Sequence, residues 1–300
     1  MTPYASLRSL KRRLFLRSEG VAELKARYAR MFGRPLDCAN PRTFTEKLFV
    51  RMVEMHRHPN PLFTRLADKY EVRQYVREKV GAQYLTGLFW HGQDPRAIPF
   101  DALPECYAIK TNHGSGRNII VRGPADRAAI LEHFSRALRQ NYYWVAREYH
   151  YYAIRPRLLI EELIDDGQPD GPLDYRFWCF GGSPRLVQVD NHSHSINPFY
   201  DVDWSKLQLA YRSRAADADI ARPDGLHELL RVAGALSADL DFARVDLYCA
   251  RGRVLVGEIT LTPVAGHLKF MPSSWDAVLG RMWVSASVQR RGESHLAPQR

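Results

Sequence analysis

The sequence predicts an α+β fold. Three observations lead there. Apolar residues recur at helical spacing as far as residue 82. Short strand-like runs then dominate, at 84–90, 105–110, 118–122, 157–163, 174–180 and 184–190. Tight turns at Gly181-Gly182 and Arg251-Gly252 favour antiparallel hairpins over a doubly wound parallel sheet. Helical spacing returns near 124–140, 225–240 and 273–285.

Residues 6–32 read as helical from Leu7, Leu10 and Leu14, then Leu24, Tyr28 and Met31, with Gly33-Arg34-Pro35 as the stop. Segment 8–17 carries Arg8, Lys11, Arg12, Arg13 and Arg17 and is amphipathic. It suits a solvated helix face, and equally a helix resting on an anionic membrane surface. Without an apolar core or a cleavage site, it is not expected to be a signal peptide. Thr43 with Glu46 has the form of a capping box. Asn60-Pro61 starts another helical region, Asp68 and Glu71 offer a further cap, and Gly81 closes it. No apolar run reaches the roughly 20 residues that span a bilayer.

Three hundred residues, 45% of them hydrophobic, suffice for one large or two smaller domains. The four cysteines, Cys38, Cys106, Cys179 and Cys249, are widely spaced and read as reduced thiols of a cytoplasmic protein. The formal charge of +10 points to anionic partners: nucleotide phosphates, an anionic polysaccharide, nucleic acid or a membrane surface. Nucleic acid ranks low, because no finger or ribonucleoprotein motif is present. A basic protein from an arginine-rich proteome would carry the same charge.

Several stretches carry chemistry. Phe242–Tyr248 and Val254–Thr260 form a hairpin pattern. Alternation places Arg244, Asp246 and Tyr248 on one face of the first strand. Val254, Val256, Glu258 and Thr260 are expected to share a face of the second. Two carboxylates on apolar strands need a cation, and magnesium commonly takes one or two carboxylates plus phosphates. Edge-exposed acids on an ordinary hairpin would give the same pattern.

Strand 106–110 ends in Lys110. The stretch Thr111-Asn112-His113-Gly114-Ser115-Gly116-Arg117 then turns into a second strand. Its glycines permit backbone N–H groups to cradle phosphate, with Lys110 and Arg117 adding charge, though most such turns are plain hairpins. Arg157–Ile164 is an apolar strand closed by Glu161 and Glu162, suited to a flat base and a ribose, or to a core strand ending at the surface. Asp174 and Arg176 share a face and either pair with each other or meet phosphate or metal. Asp201-Val202-Asp203 has the form of a short metal-binding triplet of nucleotide-sugar transferases.

The order of these pieces resembles the ATP-grasp superfamily of carboxylate–amine ligases. The phrases LADKYEVRQYV, IKTNHGSGRNIIV, DYRFWCFGG, FYDVDW, RVDLY and GEITLTP sharpen the resemblance to the TupA-like ATP-grasp family, over roughly residues 40–285. It implies two α+β subdomains holding ATP between them, preceded by a helical N-terminal region. The divisions are then 1–60 for that region, 61–290 for the ATP-grasp region and 291–300 for a disordered tail.

The same resemblance implies site roles. Lys69 and Lys110 contact the nucleotide, and Gly114, Ser115 and Gly116 close over its phosphates. Glu161, Glu162, Leu163 and Ile164 form the adenine hinge. Asp246, Glu258 and Thr260 hold Mg2+. Arg244 steadies an acyl phosphate, with Lys110 and Arg176 as further catalytic cations. Thr260 stands where many relatives have Asn, and Val264-Ala265-Gly266 departs from the usual glycine-rich turn.

The implied reaction is ADP-forming amide synthesis from a carboxylate and an amine. The implied substrates are a uronic-acid-containing cell-surface polysaccharide or its precursor and an amino acid or peptide. The expected location is the cytoplasm, with the basic helix as a peripheral membrane contact. A glycosyltransferase using Asp201 and Asp203 is the alternative, and a non-catalytic nucleotide- or polysaccharide-binding protein is a third reading.

Overall fold

The computed structural model describes residues 3–166, 171–191, 193–211 and 218–284, of which 3–17 are described by backbone alone. The tail 291–300, the end of the stretch 273–285 and the basic side chains of 8–17 lie outside this description.

Four helices open the chain: α1 (Pro3–Phe32), α2 (Phe44–Arg57), α3 (Pro61–Ala67) and α4 (Val72–Lys79). The starts of α2 and α3 follow local capping chemistry, whereas the expected Glu71 makes no side-chain cap bond at the start of α4. Thr43 and Glu46 close the reciprocal capping box on α2. Asn60 accepts from Leu62 N at the start of α3. Asp68 turns the chain between α3 and α4 by accepting from Tyr70 N at 2.9 Å. The buried Phe44 of α2 sits among Trp178, Phe180, Phe242, Phe270 and Trp283. Cutting such a ring back to alanine typically costs about 3–5 kcal/mol.

Two antiparallel sheets follow. β1 (Leu88–Gly92), β2 (Cys106–Thr111), β3 (Asn118–Arg122) and β4 (Leu158–Glu162) form the first, in the order β1-β4-β2-β3. Helix α5 (Arg127–Ala137) covers it through Ile130 and Phe134 against Tyr107, Ile109, Leu158 and Ile160. The short helix α6 (Tyr143–Ala146) leads back toward β4. After Glu162 the chain crosses to the second sheet, whose order is β10-β9-β5-β6-β7-β8. Its strands are β5 (Asp174–Phe180), β6 (Ser183–Asp190), β7 (Phe199–Asp201), β8 (Lys206–Leu207), β9 (Phe242–Ala250) and β10 (Arg253–Thr260). Helix α7 (Leu226–Ser237) packs on its apolar face, and α8 (Ser274–Met282) packs against α2.

The expected strand at 84–90 is displaced. Residues 82–84 form a 3-10 turn and β1 begins at Leu88, because Arg73 holds the intervening segment by donating to Thr86 O at 2.7 Å. The hairpin turns are as expected: Gly181-Gly182 and Arg251-Gly252 both have positive φ at both positions, between paired strand ends.

One face assignment is corrected. Val254 and Val256 pair opposite Cys249 and Leu247 on the apolar face, whereas Glu258 pairs opposite Asp246 and Thr260 opposite Arg244. A β-bulge between Val256 and Glu258 makes the switch. Gly257 sits in it, where a Cβ would meet the Tyr248 ring at 2.8 Å and Asp246 O at 3.2 Å.

Candidate active site

The bulge gathers the polar side chains of β10, β9, β5 and β6 on one face. Register rows run Glu258–Asp246–Arg176–Gln188 and Tyr248–Asp174–Asp190 across the strands. Arg244 grips Asp246 through Nε at 2.7 Å and Nη2 at 2.5 Å. The same Nη2 donates to Glu258 at 3.1 Å and to Thr260 at 3.2 Å. The oxygens of all three expected metal ligands therefore converge on one cationic nitrogen. Arg176 is engaged behind them, donating to Asp174 at 2.8 Å and to Asp190.

This face is crowded with buried charge. Burial pushes Asp246 up to about 8, with Arg244 opposing. Burial works the same way on Glu258, but Lys69 and Arg244 outweigh it and bring it down to about 2. Asp174 is also raised by burial, and its Oδ1 is buried with no hydrogen-bond partner. More carboxylate than cation is held on this face, buried at Asp246 and Asp174 and opening to solvent at Glu258, and a divalent cation would relieve the excess.

The donor set fits magnesium. Its oxygens are hard ligands, the kind Mg2+ prefers. Two carboxylates and a hydroxyl leave the remaining positions to phosphate and water, as Mg2+ prefers.

The first sheet supplies the opposite wall. Lys110 Nζ lies 2.9 Å from Glu161, which also accepts from Arg73 at 2.7 Å. Burial opposes ionisation of Glu161, yet Lys110 first and Arg73 after it hold its pKa below the ordinary value. Glu161 thus orients two cations. Glu162 accepts from Gly87 N and from Arg253. Leu163 and Ile164 follow where the chain leaves the sheet, both half-buried.

Lys69 and the glycine loop close the space. Lys69 Nζ donates to Gly114 O at 3.1 Å and lies 3.5 Å from Glu258. Gly114 is pressed against Tyr142, whose ring would sit 3.0 Å from a Cβ there, and Ser115 and Gly116 are exposed. His113 is a buried loop residue whose ring hydrogen-bonds Gln140 O, and Arg117 is drawn away from the site to Ala137 O and Gln140.

Sequence reasoning missed one wall. Residues 142–152 bring Tyr142, Glu148 and Tyr151 close enough to Glu258 to feel its charge, with His150 next to Glu148. Glu148 is buried and accepts from the Thr262 hydroxyl, two residues past Thr260. Burial pushes it up to about 7, and Glu258 adds to the rise. Its only sequence signal is an acid inside an aromatic run.

Asp201 is elsewhere. Its Oδ1 accepts from Asp203 N at 3.0 Å and Ser205 N at 2.7 Å, so it caps its own turn. It stands three strands from Arg244 along one register row, about 14 Å at ordinary strand spacing.

No curated protein matches. Among solved structures, D-alanine–D-alanine ligase from Bacillus anthracis complexed with ATP is 18% identical, with 76% of this chain and 67% of that chain covered and a TM-score of 0.45. The Helicobacter pylori D-alanine–D-alanine ligase is 16% identical over 73% and 61% of the two chains, with a TM-score of 0.46. The ATP-grasp ligase PsnB, complexed with minimal precursor, Mg and ADP, is 15% identical over 73% and 59%, with a TM-score of 0.36. The chain thus spans about three fifths to two thirds of their lengths. A family model described as TupA-like ATPgrasp matches residues 46–284, and the chain belongs to that family.

Proposed function

We propose that the ligase joins a carboxylate of a uronic-acid-containing cell-surface polysaccharide, or its precursor, to the amine of an amino acid or peptide. The observation that carries the site is the convergence of the oxygens of Asp246, Glu258 and Thr260 on the Arg244 Nη2, with Lys69 bridging Glu258 and Gly114 O alongside. The +10 charge suits an anionic acceptor.

Asp246 and Glu258, with Thr260, are the magnesium ligands in this reading, and the ion would neutralise phosphate charge. Lys69 and Lys110 bind the nucleotide, with Glu161 fixing the direction of Lys110. Residues 114–116 close over the phosphates and exclude water from the activated carboxyl. Leu163 and Ile164 offer backbone groups to adenine at the crossing, with Glu161 and Glu162 anchoring it. Arg244 turns its guanidinium to the carboxyl under activation, and Arg176 keeps Asp174 and Asp190 in place behind it.

The test is ADP release from Mg-ATP with glucuronic-acid oligosaccharide and L-glutamate, singly and together. The expected result is release that needs both and yields an amide. Release with other carboxylates but never with a uronic acid would overturn the polysaccharide reading. The glycosyltransferase alternative finds no support at Asp201, whose Oδ1 caps its own turn.

A further inference from the structure

The buried acid Glu148 is not used by the roles above. Among the described residues, its hydrogen bond comes from the Thr262 hydroxyl, and no lysine or arginine pairs with it. The cations whose charge reaches it are engaged elsewhere. Arg27 donates to Ala146 O at 3.1 Å and Ala265 O at 3.4 Å. Lys69 serves Glu258 and Gly114, and Arg244 serves Asp246. Tyr142 and Tyr151 add no charge, and Glu258 adds a negative one. His150 lies with Nε2 4.0 Å from Glu148, and burial pushes its imidazole down to about 3, so it stays neutral. Its Nδ1 is buried with no hydrogen-bond partner.

A buried carboxylate without a counter-ion is expensive, and so is an orphaned ring nitrogen. Glu148 lies close enough to Glu258 to feel its charge, and Glu258, with its side chain 39% exposed, marks where the site opens. We propose that Glu148 is the binding residue for the primary ammonium of the amine substrate, with Thr262 and His150 completing the pocket. The ammonium supplies the missing positive charge and three donors. It is thereby held on the same side as the metal ligands, where the activated carboxyl lies. This proposal rests on the ligase reading and names the chemistry of its second substrate.

The test is thermal unfolding of the full chain with glycinamide as the probe, with and without Mg-AMPPNP. N-acetylglycinamide, which lacks the ammonium, and NaCl at equal ionic strength are the controls. Glycinamide is expected to raise the melting temperature and N-acetylglycinamide is not. Glu148→Gln is expected to raise the half-saturating glycinamide concentration about tenfold or more while keeping the Mg-AMPPNP shift. Glu148→Asp, which keeps the charge on a shorter stem, is expected to fall between the two. An unchanged glycinamide response in Glu148→Gln would overturn the proposal, as would no response in the wild type. Loss of the Mg-AMPPNP shift in the wild type would count against the ligase reading instead, and the arms without nucleotide still decide on Glu148.

Discussion

Glu148→Gln is expected to make the ligand-free protein more stable at neutral pH and to leave it unchanged in acid. Burial raises the carboxyl from its ordinary 4.5 to about 7 in the folded chain. The folded state therefore keeps a proton that the unfolded chain releases. Below about pH 4.5 both states are protonated and nothing is lost. Stability then falls as pH rises toward about 7, and the full penalty stands above that. At about 1.4 kcal/mol per pH unit, the penalty is on the order of 3 kcal/mol. The amide retains an oxygen for the Thr262 hydroxyl and has no charge to bury. For a chain of this size the gain is roughly 6 °C in melting temperature. The assay is urea or thermal unfolding of both proteins at pH 4.5 and pH 8. A margin that does not grow with pH, or a wild type that is the more stable at pH 8, would refute the reasoning.

Three further outcomes follow from the geometry. Gly257→Ala places a methyl against the Tyr248 ring and Asp246 O, and is expected to cost about 1–3 kcal/mol and to weaken nucleotide-dependent metal binding, both measurable by unfolding and titration. Glu161→Gln leaves Arg73 and Lys110 without their shared carboxylate, so unfolding should show a loss of about 3–5 kcal/mol and calorimetry a weaker Mg-AMPPNP affinity. Asp201→Asn is expected to lose about 1 kcal/mol or less at its turn and to leave ATP binding as in the wild type. A loss of ATP binding in that variant would reopen the triplet as a functional site.

Local chemistry was the most legible part of the sequence. The Thr43–Glu46 box, the Asn60 cap and the Gly-containing hairpin turns depend on neighbours within a few residues, and the structure has them. The motif order led to the family because it spans most of the chain. The bulge at Gly257 was not legible, since only packing against Tyr248 and Asp246 reveals why the strand slips there. Alternation alone put Glu258 on the face of Val256, and the register puts it on the face of Asp246. Glu161 read as the start of an adenine hinge closed by two acids, and its pairing with Arg73, 88 residues away, was not legible. Glu148 escaped notice for the same reason, because Thr262 lies 114 residues beyond it. Charges that find their partners across sheets leave no periodic trace in the chain.

The central claim is that Asp246 and Glu258 hold the metal that accompanies the nucleotide. Titration of Mn2+ followed by electron paramagnetic resonance, with and without AMPPNP, tests it most directly. The expected result is tight Mn2+ binding that needs the nucleotide, lost in Asp246→Asn and in Glu258→Gln while both variants remain folded by circular dichroism. Nucleotide-dependent Mn2+ binding equal to the wild type in both variants would contradict the assignment.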